Sequence, residues 1–269
     1  MPGQWRSRHL SLDSPSVPTT DVSDQPDDWL HSTPLLDLSA TKIRLKARSL
    51  TQLASGERAQ AMAIYAFVKS LPYAKHVKVA YPTARDVLQA RCGDGDDKVT
   101  LLIALLRSAG IPARIRYMEM KGEMLRGLVP MTRPPDAARP LAEIWLGRWA
   151  RTDTFIYDAS YVSAARRQLR ARGWAYGWGL HLNGDMLWNG KDDAFLGGAP
   201  IEDDPRLKRV LCLVSDPLEL VAPHMRRNGL RYTRSIRALE WNVLAPAMGR
   251  AIERLRAPYA AKAARSMVV

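Results

Sequence analysis

Residues 84–117, ARDVLQARCGDGDDKVTLLIALLRSAGIPARIRY, decide the fold. A turn rich in glycine and aspartate at 92–97 leads into a segment whose apolar side chains repeat at three- and four-residue spacing. This spacing predicts a helix over 98–108 with one broad buried face, at the centre of a domain. The residues that form the buried face are Leu101, Leu102, Leu105 and Leu106.

The ends of this helix are marked by residues with well-known terminal preferences. Asp96 is predicted to cap the N-terminus, and Asp97 suits the positive end of the helix dipole. Gly110 and Pro112 end the helix, because glycine tolerates the left-handed conformation and proline cannot continue the hydrogen-bond ladder. A strand is predicted to follow over 113–118.

The same stretch resembles the transglutaminase-like superfamily. In that family a Gly-x-Cys-x-x-Lys turn places a nucleophilic cysteine at the start of a buried helix that ends Leu-Leu-Arg-x-x-Gly-Ile-Pro-Ala-Arg. Here the turn runs from Gly93 to Lys98, and Gly95 occupies the cysteine position. The resemblance implies that the scaffold is kept and that the reactive sulfur is lost.

A second match lies in residues 141–154, which alternate as two strands around a tight turn. Members of the family carry His-x-x-x-Glu on the first strand and an aspartate on the second, with histidine as general base and aspartate orienting it. In this chain the glutamate is Glu143 and the aspartate is Asp153, but the histidine position holds Arg139. The resemblance therefore implies that the base is missing as well.

The predicted fold class is α+β, with the transglutaminase and papain-like core that the resemblance implies. N-terminal helices precede a central buried helix packed on an antiparallel sheet. Residues 1–34, rich in Ser, Pro, Thr and Asp, are expected to form a flexible arm. Residues 35–200 are expected to form the domain and 201–269 a basic, helical extension packed on it; within the extension, 206–215 reads as a strand or a short helix.

Further elements can be predicted within the domain. Residues 57–70 repeat their apolar side chains with a helical period, and a short helix is predicted after Asp158. The run 121–139 is predicted to be a loop over a cleft, because it is rich in glycine and proline. The segment after the short helix is rich in glycine and aromatic residues, and it predicts a β-hairpin that turns at Asn183 and Gly184.

Composition narrows the function classes. The chain has 269 residues and a net charge of +13, which favours an acidic partner or reflects a bias toward arginine. Nucleic acid is disfavoured because no nucleic-acid motif or aromatic platform accompanies the charge. Cys92 and Cys212 form no metal or disulfide pattern, and no apolar run is long enough to cross a membrane. We expect a cytoplasmic protein without a cofactor or bound metal.

The candidate site residues lie at and around the two positions where the family carries its cysteine and histidine. Arg139 and Asp153 would face Gly95 and Asp96, where a guanidinium beside a helix N-terminus can bind a carboxylate or phosphate. The alternative is an ion pair that merely fills the space. Cys92, three residues before Gly95, is the one thiol on the same turn.

Three functional hypotheses follow. The first is a binding or accessory protein for an anionic small molecule, an acyl ligand or an acidic protein. The second is an enzyme acting on an activated acyl or carbonyl substrate, with an acidic carrier protein as one candidate partner, through acid–base and electrostatic work by Asp153, Glu143, Arg139 and Asp96. The third is a cysteine acyltransferase or hydrolase that uses Cys92.

Overall fold

Helices come first in the chain and an antiparallel sheet follows, in a computed structural model that describes residues 24–220 and 241–266. The helices are α1 (Thr41–Thr51), α2 (Glu57–Ser70), α3 (Ala84–Ala90), α4 (Gly95–Ser108), α5 (Ala159–Arg172) and α6 (Ala245–Ser266). The strands are β1 (Ala113–Met120), β2 (Ala137–Trp145), β3 (Trp149–Thr152), β4 (Tyr176–Gly177), β5 (Leu180–His181) and β6 (Leu207–Val214). Short 3-10 turns cover Pro26–Trp29, Gly122–Leu125 and Ile201–Asp203. The α+β class is confirmed.

The central helix, α4, begins three residues earlier than its apolar pattern predicts. Asp94 is the N-cap: its carboxylate accepts the Asp97 N–H at 3.2 Å, and the Asp97 carboxylate accepts the Asp94 N–H at 3.1 Å. This reciprocal capping box satisfies two backbone donors at once. The prediction that Asp96 caps the helix is wrong, because Asp96 lies inside its first turn.

Burial of α4 extends around the whole helix rather than over one face. Residues 97–107 are all buried, since α1, α2 and α3 pack on one side and β1 and β2 on the other. Polar groups in this segment are satisfied locally: the Thr100 hydroxyl donates to the Asp96 carbonyl at 2.7 Å, and the Arg107 guanidinium donates to the Ala113 carbonyl. The apolar pattern identified the helix but underestimated its burial.

The four-stranded sheet has the order β3-β2-β1-β6, and every neighbouring pair is antiparallel. β2 and β3 form the hairpin predicted over 141–154, but β2 begins at Ala137, so the predicted loop over 121–139 is too long at its end, where pairing with β1 extends the strand. In the register of β1 and β2, Arg114 lies opposite Glu143 and Met118 lies opposite Arg139. Two residues between these positions on β2, Pro140 and Ala142, project to the face covered by α4, because side chains alternate along a strand.

The segment after residue 201 is not purely helical. Leu207–Val214 forms β6 and pairs with β1, so it completes the sheet as an edge strand. The sheet therefore contains strands from both sides of the predicted boundary at 200: β1, β2 and β3 precede it, and β6 follows it. The boundaries of the arm, the domain and the extension remain predictions.

The hairpin predicted around Asn183 and Gly184 has a different turn. β4 and β5 are joined by Trp178 and Gly179, whose φ angles of 51° and 81° lie in the left-handed region that a tight two-residue turn requires. The Trp178 side chain is buried there and stacks on Trp174. Burial of this ring favours the Trp178-Gly179 turn over the Asn-Gly pair.

The two ends of the chain are described only in part. Residues 1–23 of the predicted arm lie outside the described residues, as do 221–240 within the basic stretch near the C-terminus. Trp29 is buried beneath the Arg114 guanidinium, 5.4 Å from the ring centre. No helix among the described residues has the length and apolarity that crossing a bilayer requires.

Candidate functional site

A cavity of about 120 Å³ opens where the N-terminus of α4 meets β2. The 3-10 turn at Gly122–Leu125 and the start of α6 close its other sides. It contains three of the four predicted ligand-binding positions, Gly95, Asp96 and Arg139, and the fourth, Asp153, lies directly behind Arg139. The structure thus brings the predicted ligand-binding residues together.

Arg139 and Asp153 form a buried ion pair at the cavity wall. The Arg139 Nε lies 2.9 Å from a carboxylate oxygen of Asp153, whose other oxygen accepts the Leu196 N–H at 2.8 Å. Burial raises the pKa of Asp153, although Arg139 and this N–H favour its ionised form. Only 8% of Arg139 is exposed, and its Nη2 has no hydrogen-bond partner among the described residues. A buried guanidinium donor without an acceptor is costly and uncommon in native proteins.

Gly95 is the first residue of α4 and faces the same cavity. A Cβ at this position would lie 3.3 Å from the Pro140 Cγ and 3.8 Å from the Ile156 Cδ1, so a small side chain fits after a slight adjustment. The φ angle is not in the left-handed region, so glycine is not required by backbone conformation. The positive end of the α4 dipole faces the cavity, and it favours an electron-rich ligand group.

Asp96 is a second titratable group on the cavity wall. One carboxylate oxygen accepts the Tyr117 hydroxyl at 2.7 Å. Burial, followed by the nearby Asp94 carboxylate, raises the pKa of Asp96. A carboxyl group with a raised pKa can hold a proton at a higher pH than an ordinary aspartate, and can donate it.

Two lysines neutralise the capping box beside the cavity. Lys75 and Lys78 lie 2.6 and 2.7 Å from the same oxygen of Asp94, and Lys78 also lies 2.6 Å from Asp97. Burial disfavours the ionised form of Asp94, but the two lysines outweigh it and lower its pKa. Burial and the Asp94 charge raise the pKa of Asp97 to about 7. Of the three aspartates in this turn, Asp94 is therefore the one held firmly ionised.

Glu143 does not lie at the cavity. Its carboxylate is 1% exposed and receives the Nε groups of Arg114 at 2.7 Å and Arg116 at 2.5 Å. Both carboxylate oxygens are engaged by arginines of β1, and Glu143 is not among the residues that line the cavity. The candidate catalytic residue Glu143 is therefore better explained as the centre of a structural ion-pair cluster.

Cys92 lies outside both cavities that adjoin the helix turn. Its sulfur is 3.7 Å from the Nε2 of His76, and a second cavity of about 50 Å³ is lined by His76 but not by Cys92. Burial and then the Asp97 charge raise the pKa of the Cys92 thiol. A reactive cysteine has a lowered pKa, so this environment makes a poor nucleophile despite the neighbouring imidazole.

Several cavity residues were not anticipated from the sequence. Tyr157 follows Asp153 closely, but its place on the wall depends on the turn between β3 and α5. Trp241 and Met248 come from the C-terminal region and reach the cavity over more than a hundred residues of sequence separation. No motif marked them; for Trp241, the only sequence signal was a tryptophan in an amphipathic stretch.

One family profile matches the segment that contains α2, α4 and the β2–β3 hairpin. Residues 44–154 match the sequence profile of the Transglutaminase-like superfamily, Transglut_core. Among solved structures, a candidate cysteine protease from Cytophaga hutchinsonii is 21% identical with a TM-score of 0.38, and the match covers 50% of this chain and 43% of that one. A candidate protease from Parabacteroides distasonis is 18% identical with a TM-score of 0.30, over 47% and 24% of the two chains. The match spans less than half the length of either structure, and no curated protein matches the chain.

Proposed function

We propose, on the premise that the chain belongs to the transglutaminase-like superfamily through residues 44–154, that its cleft binds a carboxylate or carbonyl ligand and supports no thiol chemistry. The observation that carries the proposal is Arg139, which lines the cavity and whose buried Nη2 has no acceptor among the residues that the structure describes. A ligand oxygen at this position would supply the missing acceptor. The positive end of α4 would favour the same oxygen.

The resemblance supports the absence of thiol chemistry. Gly95 and Arg139 stand where family members carry the cysteine and the histidine, and both line one cavity with Asp153 behind. Glycine has no nucleophilic atom, and a guanidinium remains protonated at physiological pH, so it cannot act as the base. In this proposal the cleft lies where the family has its active site, and its polar groups are suited to binding.

The charge balance at Arg139 indicates which oxygens fit. Asp153 already compensates the guanidinium charge at 2.9 Å, so the remaining Nη2 group can donate to either a neutral carbonyl or a carboxylate. Lys121 also lines the cavity and adds a positive charge that is not part of this pair. We therefore place the ligand among small carboxylates first and amides second.

Arg139→Lys is the variant that tests this proposal. Lysine keeps a positive charge for Asp153 but loses the second donor of the guanidinium fork. We expect benzoate to bind at least about tenfold more weakly to the variant, because a hydrogen bond to a charged group contributes about 1.5–3 kcal/mol and about 1.4 kcal/mol is a factor of ten. Benzoate and benzamide titrations followed by NMR would measure this effect.

Arg148→Lys is the matched control, since Arg148 is an exposed arginine in the turn between β2 and β3. It should bind benzoate like the unmodified protein. The proposed function is contradicted if Arg139→Lys binds both probes unchanged, or if neither probe binds to the unmodified protein.

Asp96 favours a second candidate function, acid–base catalysis on an activated acyl group. Asp96 and Arg139 line the same cavity, and the raised pKa of Asp96 lets its carboxyl hold a proton at a higher pH than an ordinary aspartate does. A thioester would supply its own leaving group, so such a reaction would need no enzyme nucleophile. Water would attack the carbonyl, Asp96 in its ionised form would take up the proton that the water loses, and the C–S bond would break with that proton delivered to the departing thiolate.

A thioester assay separates the three functions. Under the binding function, we expect the protein to release thiol from S-phenyl thioacetate no faster than its Asp96→Asn/Cys92→Ser double variant does. Thiol release that is lost in Asp96→Asn alone would establish acid–base catalysis instead. Release that is lost in Cys92→Ser alone would establish the thiol mechanism and contradict the binding function.

A further inference from the structure

The cavity has an apolar wall as well as a polar one. Two tyrosines and five charged residues line it, and much of the other lining is thioether, aliphatic and indole surface; the charged residues are Lys75, Asp94, Asp96, Lys121 and Arg139. The residues that carry this surface are Met120, Met124, Leu125, Ile156, Trp241 and Met248. Three methionines in one small wall provide a polarizable surface that adapts to a flat ring.

Two of these residues, Trp241 and Met248, lie outside the family-matched segment and are positioned by contacts that their neighbours make with it. Asn242 makes two hydrogen bonds to the backbone of Lys78: its Oδ1 accepts the N–H at 2.8 Å, and its Nδ2 donates to the carbonyl at 2.7 Å. These bonds fix the residue next to Trp241. At Gly249, a Cβ would lie 3.3 Å from the Lys75 carbonyl, so α6 approaches that backbone closely. The contacts of these two neighbouring residues thus hold Trp241 and Met248 at the cavity wall.

The dimensions of the cavity limit the ligand body. A cavity of about 150 Å³ lined by apolar side chains accommodates benzene, and the volume here is about 120 Å³ with an open side. Because this volume is smaller than the one that encloses benzene, a single aromatic ring with its carboxyl group fits only with part of the ligand in the opening. Larger bodies would have to extend through the opening.

We propose that Trp241 and Met248 are specificity-determining residues that select an acid with a flat apolar body next to its carboxyl group. The inference rests on the proposed function, because the carboxyl group is assigned to Arg139. The ligand is then amphipathic: its carboxylate accepts from Nη2, and its ring packs between the indole of Trp241 and the methionine side chains. Selectivity would come from the C-terminal region, whereas residues 44–154 provide the polar end.

Trp241→Ala tests the inference with benzoate and acetate as probes. Both carry the carboxylate and only benzoate carries the ring. We expect the variant to bind benzoate about tenfold more weakly and acetate within twofold of the unmodified protein. Trp241→Phe, which retains an aromatic surface, should recover most of the benzoate affinity.

Val243→Ala is the matched control, since Val243 lies two residues away and is 83% exposed. It should leave both affinities unchanged, and thermal unfolding should confirm that each variant is folded at the titration temperature. Equal affinity of the unmodified protein for acetate and benzoate, or full benzoate affinity in Trp241→Ala, would overturn the inference. If Arg139→Lys still weakened binding in that case, the proposed function would survive; loss of both effects would remove both.

Discussion

Replacing Glu143 with alanine is expected to lower the free energy of unfolding by about 3–5 kcal/mol, because removing one partner of a buried ion pair leaves the other charge uncompensated. The Arg114 side chain is 4% exposed, and Glu143 holds it at 2.7 Å while holding Arg116 at 2.5 Å. Asp24 also contacts Arg114 at 3.1 Å, but it is 87% exposed and compensates the charge weakly. Urea unfolding followed by circular dichroism would measure the loss.

Glu119→Ala provides the matched control on the neighbouring strand. Glu119 pairs with Arg209 at 2.8 Å, but Arg209 is 56% exposed, and surface ion pairs contribute about 0–1 kcal/mol. At a temperature where both variants are folded, each should bind benzoate like the unmodified protein. A structural role for Glu143 would be contradicted if Glu143→Ala lost no more stability than Glu119→Ala, or if it alone lost benzoate binding. Glu143 would then again be a candidate residue of the ligand site.

Much of the fold was accessible from the sequence because local patterns and the resemblance agree. The apolar repeat identified α4, alternation identified β2 and β3, and counting from Glu143 placed Arg139 and Asp153 together. The cap could also have been found: a capping box needs an acidic residue three positions after the cap, and Asp94 with Asp97 meets this condition. Asp96 does not meet this condition, because the residue three positions after it is Val99.

The remaining features depend on contacts between distant segments, which no local pattern encodes. The choice of the Trp178-Gly179 turn depends on burial of an indole. β6 reads as strand or helix until its pairing with β1 is known. The unpaired Nη2 of Arg139 is likewise a property of three-dimensional packing, although the sequence indicated that Arg139 would lie beside Asp153.

Replacing Lys98 with methionine is expected to change how stability depends on pH. Lys98 is fully buried, and its Nζ donates to the carbonyls of Leu71 at 2.8 Å and Lys69 at 3.3 Å, at the C-terminus of α2. These carbonyls have no partner within their helix, so the lysine acts as a cap. The family-like turn ends at this lysine, and its contacts here are structural.

Burial lowers the pKa of Lys98 from 10.5 to about 7; Lys69 and Arg256 act in the same direction, and Asp158 opposes them. Between these two values the unfolded chain binds a proton that the folded protein does not, so the contribution of Lys98 to stability rises with pH. The cost of its buried charge is greatest below about pH 7 and disappears above about pH 10.5. Each unit of pKa shift corresponds to about 1.4 kcal/mol, so the unmodified protein should gain up to about 4 kcal/mol relative to Lys98→Met across this interval.

Unfolding free energies measured from pH 6 to 10 in Lys98→Met, in the unmodified protein and in Lys42→Met would check this result. Lys42 is exposed on α1, so its replacement should displace the curve by a constant amount. Parallel curves for Lys98→Met and the unmodified protein would show that Lys98 keeps its proton in the folded state. The buried end of α2 would then hold a full positive charge between pH 7 and 10, a charge that its carbonyl partners and Asp158 would have to stabilise.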